Sequence, residues 1–462
     1  MQKISAQDIL FQLRRVKLPD IRIIYAVLVV LFGCWVLWWL FLFFSFDEDE
    51  IKQQFKAALS QQFEGEVTFN EKVSFSLFPS PKMVVREIAV ANQARSTQPT
   101  MLNIPEALLE LDIFSSGIAV TLVSPSIFLE KYADGKSNWQ AKTQKKSDEG
   151  NELAITSLII QNGNLEYHHL DRAKHYVAES INIALNPQSK RAGEATGSFT
   201  LNKTPYQFYA SLAEASDQES GLKAGITDGN MEFHLEGKWN PSAQRFTGEQ
   251  RAVFADLAKF LDSFNETLNP EEEKAKAAQM ANTQTKPVSL KWSGNTNFSL
   301  ESMQMQFEKL KLESEDISGN AEGSILFSDT PEITLVAQLE KLSLNSLEKS
   351  GVLTRLVMQQ ESVQSLDGNR VGVVGGKLRG LPQNVKMNLT LTAKQAMFAG
   401  LEIQSLQMSG MMQDAALQLS QISGVFAGEG QFVLQGSLDS SYEGLSLKGK
   451  LDIAGKNLSE TM

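Results

Sequence analysis

Apolar side chains recur along this chain in three different rhythms, and each predicts a different element. Ile23 to Phe46 (IIYAVLVVLFGCWVLWWLFLFFSF) runs for 24 residues without one charged side chain. As a helix rising 1.5 Å per residue it reaches about 36 Å, more than the ~30 Å hydrocarbon core of a bilayer. This predicts a membrane span. A secretory signal would have an apolar stretch of ~7–15 residues and a small-residue cleavage site. Here the stretch closes on Phe43, Phe44, Ser45 and Phe46, followed by Asp47, Glu48, Asp49 and Glu50, so it reads as an uncleaved anchor. Beyond it, Ile51, Phe55, Ala58, Leu59 and Phe63 keep a helical spacing and predict a short amphipathic helix.

After Gly65 the period changes to two. Val67 and Phe69, then Val73, Phe75 and Leu77, read as a hairpin; Pro79 and Pro81 punctuate, and Val84 to Val90 reads as a further strand. Most of the remaining chain keeps this alternation. Phe298 and Leu300, Leu310 and Leu312, Val385 to Leu391, Leu417 and Leu419, Phe432 and Leu434, Leu445 and Leu447, and Leu451 and Ile453 stand between polar neighbours. Turn residues recur every ~8–12 residues, the spacing of a meandering antiparallel sheet with one apolar face. Gly197-Ser198-Phe199-Thr200-Leu201 with Pro205 is echoed by Gly323-Ser324-Ile325-Leu326-Phe327 with Pro331, and more loosely by Gly430 to Leu434. Such echoes suit a sheet grown from similar hairpins.

The β rhythm is interrupted between residues 252 and 285, where Val253, Phe254, Leu257, Phe260, Leu261 and Phe264 fit one helical face and a Glu/Lys/Ala/Gln stretch follows Pro270. This predicts a helical insertion. Val352 to Met358 reads as a short helix, and Ser137 to Asn151 and Ser362 to Gln383 as loops.

Charge orients the anchor. Lys3, Arg14, Arg15, Lys17 and Arg22 precede the span and the acids follow it, which places residues 1–22 in the cytoplasm and the rest across the membrane. The net charge of -11 argues against a nucleic-acid partner. Cys34 is the one cysteine, which excludes an intrachain disulfide and a cysteine-based zinc site.

The chain carries no complete catalytic motif. Asp134-Gly135-Lys136-Ser137 contains the end of a phosphate-loop pattern, but Glu130 stands where the first glycine is required, so Asp134-Gly135 reads as a hairpin turn. The histidines are His168, His169, His175 and His234. His168 and His169 are adjacent and would point to opposite faces of a strand, so they cannot share a metal. His175 could approach His169 across a turn, and the four are read as surface or satisfied imidazoles. No paired acids and no nucleophile elbow stand out. The expectation is a protein without catalytic, cofactor or metal residues. The one-sided β pattern fits either a closed sandwich or an open sheet whose apolar face is available to acyl chains; periodicity alone does not choose.

Several stretches resemble the AsmA family of bacterial envelope proteins. The anchor and helix lead to Gly65 to Phe69 and then Val73 to Pro81, with Phe78 and Pro79 in the similar motif. Pro125 to Trp139 resembles the family strand ending in D-G-x-x-N-W, matched by Asp134, Gly135, Asn138 and Trp139. Leu158 to Tyr167 resembles its I-x-N-G-x-L-x-Y strand through Asn162 and Gly163. The similarity is close over about residues 50–170 and diffuse through 298–455.

The resemblance implies a mainly β protein of the bacterial inner membrane, single-pass, with the bulk of its chain in the periplasm. Its expected fold is a long curved antiparallel β-sheet forming an elongated groove, with an N-terminal transmembrane helix and a few short helices. The layout is then a tail at 1–22, the anchor at 23–46, an AsmA-like β-groove region at 47–251, the helical insertion at 252–285 and continuing β repeats at 286–462, which stop as if another repeat were beginning. Roughly 20 strands at ~4.8 Å would span on the order of 95 Å. Phospholipid acyl chains, lying against Phe298, Leu300, Leu389, Leu391, Phe432 and Leu434, are the expected partners, in the service of outer-membrane biogenesis. The alternative is a scaffold or assembly factor whose strand edges engage outer-membrane or periplasmic envelope proteins.

Overall fold

The computed structural model describes residues 66–69, 73–76, 81–112, 117–139, 154–170, 174–189, 191–216, 218–263, 286–328, 330–352, 385–413, 416–426, 430–441 and 444–455. The expected anchor, the helix at 51–63, Leu77, Phe78, Pro79, the loop at 362–383 and most of those at 137–151 and 352–358 lie outside the described residues. Among the described residues no helix is long and apolar enough to cross a membrane.

The alternating segments form one 22-stranded sheet. Its first strands are β1 (Val67–Thr68), β2 (Ser74–Ser76), β3 (Lys82–Ala91), β4 (Thr100–Asp112), β5 (Gly117–Val123), β6 (Ser126–Lys131), β7 (Ala154–His169) and β8 (Lys174–Ser189). Then come β9 (Ala192–Leu201), β10 (Thr204–Glu214), β11 (Ser220–Thr227), β12 (Met231–Asn240) and β13 (Arg245–Phe254). After helix α1 (Leu257–Ser263) follow β14 (Leu290–Ser299), β15 (Gln304–Glu313), β16 (Ile317–Leu326) and β17 (Glu332–Ser343). Helix α2 (Leu344–Lys349) precedes β18 (Lys386–Phe398), β19 (Leu401–Gln413), β20 (Ala416–Phe426), β21 (Gln431–Ser441) and β22 (Gly444–Ala454).

Neighbours in sequence are neighbours in the sheet from β7 onward, so the polypeptide meanders from one edge to the other. Two expectations need correction. The Val67–Leu77 stretch is not a hairpin: β1 and β2 do not pair with each other but lie in succession along the same side of β3. Alternation marks a strand and its faces but not its partner, and β3 is long enough to serve both. Nor is the sheet wholly antiparallel. β5 and β6 run parallel to β7, and β17 runs parallel to β18. A parallel neighbour requires a longer connection than a hairpin turn, and β7 begins only at Ala154 after β6 ends at Lys131, and β18 only at Lys386 after β17 ends at Ser343.

The predicted helical insertion starts later than the pattern suggested. Ala252, Val253 and Phe254 belong to β13, and helix begins only at Leu257. Asp256 caps it, its Oδ1 accepting from the N–H groups of Ala258 and Lys259 at 3.0 and 3.2 Å. Helix α2, which the apolar spacing did not announce, is capped in the same way by Ser343, whose Oγ accepts from Ser346 N at 3.3 Å. The Gly-x-Phe/Ile echoes prove structural in two of three cases. Gly197 and Gly323 sit inside β9 and β16, whereas Gly430 precedes β21.

Candidate functional site: one continuous apolar face

Directly paired residues of adjacent strands point to the same face of a sheet, so the register traces each face from edge to edge. One row runs Val85, Ala107, Leu122, Ile160, Ile183, Gly197, Phe208, Ile226, Phe233, Ala252, Trp292, Leu312, Gly319, Leu339, Ala393, Leu406. It crosses from β3 to β19 without a polar side chain. Two residues along each strand lies a second row: Met83, Leu109, Val120, Leu158, Leu185, Ala195, Ala210, Ala224 and Leu235. Gln250 and Gly294 interrupt it, and beyond the β14–β15 bulge it resumes as Leu310, Ala321, Ala337, Leu391, Met408, Ile422, Leu434 and Leu451. From β9 onward the intervening positions are mostly polar or charged, whereas Val84, Leu108, Ile159 and Ala184 make them apolar on β3, β4, β7 and β8. Cross-strand ion pairs such as Lys223–Glu236, Lys386–Glu332 and Arg86–Glu106 lie on this opposite face.

A third row crosses Gly237, Gly248, Thr296, Phe307, Gly323, Leu335, Leu389, Gly410 and Leu419. Its glycines keep the floor low. A Cβ on Gly323 would stand 2.1 Å from Thr334 O and 2.9 Å from the Phe307 ring, so the aromatic side chain lies directly over bare backbone.

The face is covered unevenly. At the ends of β13 and β17 the two helices fold onto it. Leu257 and Leu261 of α1 and Leu344 and Leu347 of α2 pack on Leu310, Leu339, Leu342, Ala393, Ala396, Ile403 and Leu406. Phe260 also meets Phe254 edge to face at 4.5 Å between centroids. Along β7–β11, by contrast, Ala178 and Tyr206 are the only apolar side chains among the described residues that are buried. Ile160, Ile183, Phe208 and Ile226 are half-buried, and Leu185 is 36% exposed.

The six residues nominated from alternation do not all fall together. Phe298, Leu389, Leu391, Phe432 and Leu434 share the apolar face, by register with Phe307, Leu335, Ala337, Gly424 and Ile422 or their same-face neighbours. Leu300 lies just past β14 in the turn and is 47% exposed. Its parity matched, but the strand ended first.

The similar motifs have clear local tasks. Glu87, Ser124, Asn162 and Ser180 all take positive φ, at 55°, 48°, 52° and 52°. They stand side by side, because Arg86 faces Glu106, Glu106 faces Val123 and Val123 faces Gln161. Pro105, lacking an N–H, falls in the same line. Asn182 ties the neighbouring bulges, its Oδ1 accepting from Asn162 N at 3.0 Å while its Nδ2 donates to Ser180 O at 2.8 Å. Aligned bulges bend a sheet along a line, and Asn is one of the few residues suited to φ > 0. Gly163 completes the bend: a Cβ there would press on Ile160, Pro125 and Ile181 at 3.1–3.4 Å.

Asp134 and Gly135 make a turn, Gly135 at φ 77°, closed by Tyr132 N donating to Lys136 O at 2.8 Å. Asn138 then acts as an extra half-strand. Its Oδ1 accepts from Glu130 N at 2.8 Å, and its Nδ2 donates to Phe128 O at 2.9 Å. Trp139, 40% exposed, leans on Tyr167 with centroids 5.9 Å apart. Under this corner Glu130 is fully buried and accepts from Ser96 Oγ, Thr97 Oγ1 and Thr97 N at 2.6, 2.7 and 3.2 Å. The Lys136 N–H and the Arg95 guanidinium hold the Asp134 carboxyl below its ordinary pKa.

The histidine expectation needs one correction. His168, not His169, faces His175 across β7 and β8. Both imidazoles reach Glu166.

The motif geometry agrees with the comparison to known families. Neither a curated protein nor a solved structure matches the chain. Residues 21–213 match the model of the AsmA family. That stretch contains the Asp134–Trp139 turn, the Asn162-Gly163 bulge and the first half of the apolar rows, and over it the chain is similar to the AsmA family.

Proposed function

We propose that this protein is a non-catalytic, inner-membrane-anchored envelope protein that binds phospholipid along its apolar sheet face and conducts it toward the outer membrane. The observation that carries the reading is the uninterrupted apolar row from Val85 to Leu406, half-open to solvent across β7–β11. A long apolar surface left in water is unfavourable and calls for a lipid or protein cover. Acyl chains meet that need along the rows, while headgroups stay at the polar rim. The apolar segment Ile23–Phe46 and its basic flank support an anchor with a cytoplasmic N-terminus and a periplasmic sheet.

Native mass spectrometry of the full chain, followed by lipid extraction, tests this. Copurified phospholipid is expected, and it should be lost in the Ile160→Asp, Ile183→Asp double variant. Lipid-free protein, or equal lipid in both, would overturn it. A second reading, a scaffold for envelope β proteins, draws on β22: among the described residues no strand pairs with its far side, and Leu451 and Ile453 are 55% and 40% exposed. Crosslinking to outer-membrane β proteins without bound lipid would favour it.

A further inference from the structure

Glu166, His168 and His175 form a cluster that lipid binding does not use. Glu166 and His168 are two residues apart on β7, hence on one face, and His175 stands directly opposite His168 on β8. Glu166 Oε1 lies 2.7 Å from His168 Nε2 and 3.0 Å from His175 Nε2. The imidazoles meet edge to face with centroids 4.3 Å apart. The buried Phe128 ring braces His168 from β6, with centroids 4.9 Å apart. Leu165 and Ala178, of opposite parity, lie with the apolar rows, so the cluster sits on the polar side of the sheet.

We propose that Glu166, His168 and His175 form a zinc site that pins the end of the β7–β8 hairpin. Two imidazoles turned toward one carboxylate oxygen are an N/O donor set suited to Zn²⁺ and poorly suited to Ca²⁺ or Mg²⁺. Tetrahedral bonds of ~2.1 Å put ligand atoms ~3.4 Å apart. The three ligand atoms here all lie within 4.8 Å of one another. The two shortest separations need to open by about half an ångström to admit the ion. That is a small swing for two half-buried side chains and one exposed one. Phe128 limits His168 to this direction, so His175 and Glu166 supply the adjustment. Water completes the coordination on the solvent side.

The test uses the full chain in detergent, free of any polyhistidine tag and stripped with a chelator. Calorimetric titration with Zn²⁺ should show a single equivalent bound, weakened about tenfold or more by His175→Ala and by Glu166→Gln. His234→Ala, on β12 beside Tyr209 Oη at 3.2 Å, should bind as the parent does. Titration with Co²⁺ should give the visible bands of a four-coordinate N/O complex, lost in His175→Ala. Because His175 is exposed, that variant should keep its fold, checked by circular dichroism. Absence of stoichiometric binding, or parental affinity in both His175→Ala and Glu166→Gln, would overturn the site and leave a hydrogen-bonded cluster.

Discussion

Strands β7–β11 and β15–β19 are written in the same alternating code, yet they end in different states. In β15–β19 the inward residues Phe307, Leu310, Leu339, Leu342, Ile403 and Leu406 are buried, at 5–9% exposure. In β7–β11 their counterparts Ile160, Ile183, Phe208 and Ile226 are half-buried on the same face. What differs is the chain between strands. After β13 and β17 it folds α1 and α2 back over the face, whereas β8–β11 are joined by short turns, and among the described residues α1 reaches only the β9–β11 end of that stretch, where Leu257 and Phe260 share a cluster with Tyr206 and Ile226. Alternation builds a face, and the connections decide how much of it is sealed.

The largest effect expected from this contrast concerns stability. Leu339→Ala should cost about 2–5 kcal/mol, the range for emptying a packed core site. Ile160→Ala, on the same row but half-exposed, should cost about 1 kcal/mol. Hydrogen exchange measured over β16–β19 and β7–β9 checks both, and equal losses would break the distinction. Glycine substitutions sharpen it. Gly323→Ala drives a Cβ to 2.1 Å from a backbone oxygen and should cost about 1–3 kcal/mol. Gly163→Ala meets only the edges of side chains and a proline ring at 3.1 Å or more and should cost about 1 kcal/mol or less. Denaturant titration followed by intrinsic fluorescence reads both.

Asn162→Ala tests the bend itself. It places a residue less suited to φ 52° at the bulge and removes the bond to Ser124 Oγ at 3.4 Å. The expected loss is about 1 kcal/mol, confined to exchange protection in β7 and β8. The smallest effect is pH-dependent. Asp134 has its pKa lowered in the folded chain by the Lys136 N–H and Arg95. Its contribution is therefore present above the unfolded value and fades as pH falls through the folded one. Protection of residues 132–138 should hold above pH ~5 and decline below ~4, and Asp134→Asn should flatten that decline.

Much of the face was legible beforehand, because period-two spacing assigns inward positions without knowledge of partners. Phe298, Leu389, Leu391, Phe432 and Leu434 share one side for that reason. Leu300 shows the limit: parity persists past the end of a strand, and only the register shows that β14 stops at Ser299. The parallel seams at β7 and β18 were hidden because alternation is blind to direction. Helix α2 was missed because its six residues follow a strand without a change in composition. The meeting of His168 with His175 depends on the β7–β8 register, which adjacency in sequence could not supply. The Asn162-Gly163 and Asp134-Gly135 pairs were visible as motifs, but the line of bulges they join appears only when β3 to β8 lie side by side.

Site-specific photocrosslinking to phospholipid, residue by residue along β7, β8 and β12, addresses the apolar face most directly. Probes at Leu158, Leu185 and Phe233 should capture acyl chains, while those at Ser157, Asn186 and Glu232, one position away on the opposite face, should not. A flat pattern, or capture from the polar side, would contradict lipid binding on the apolar rows.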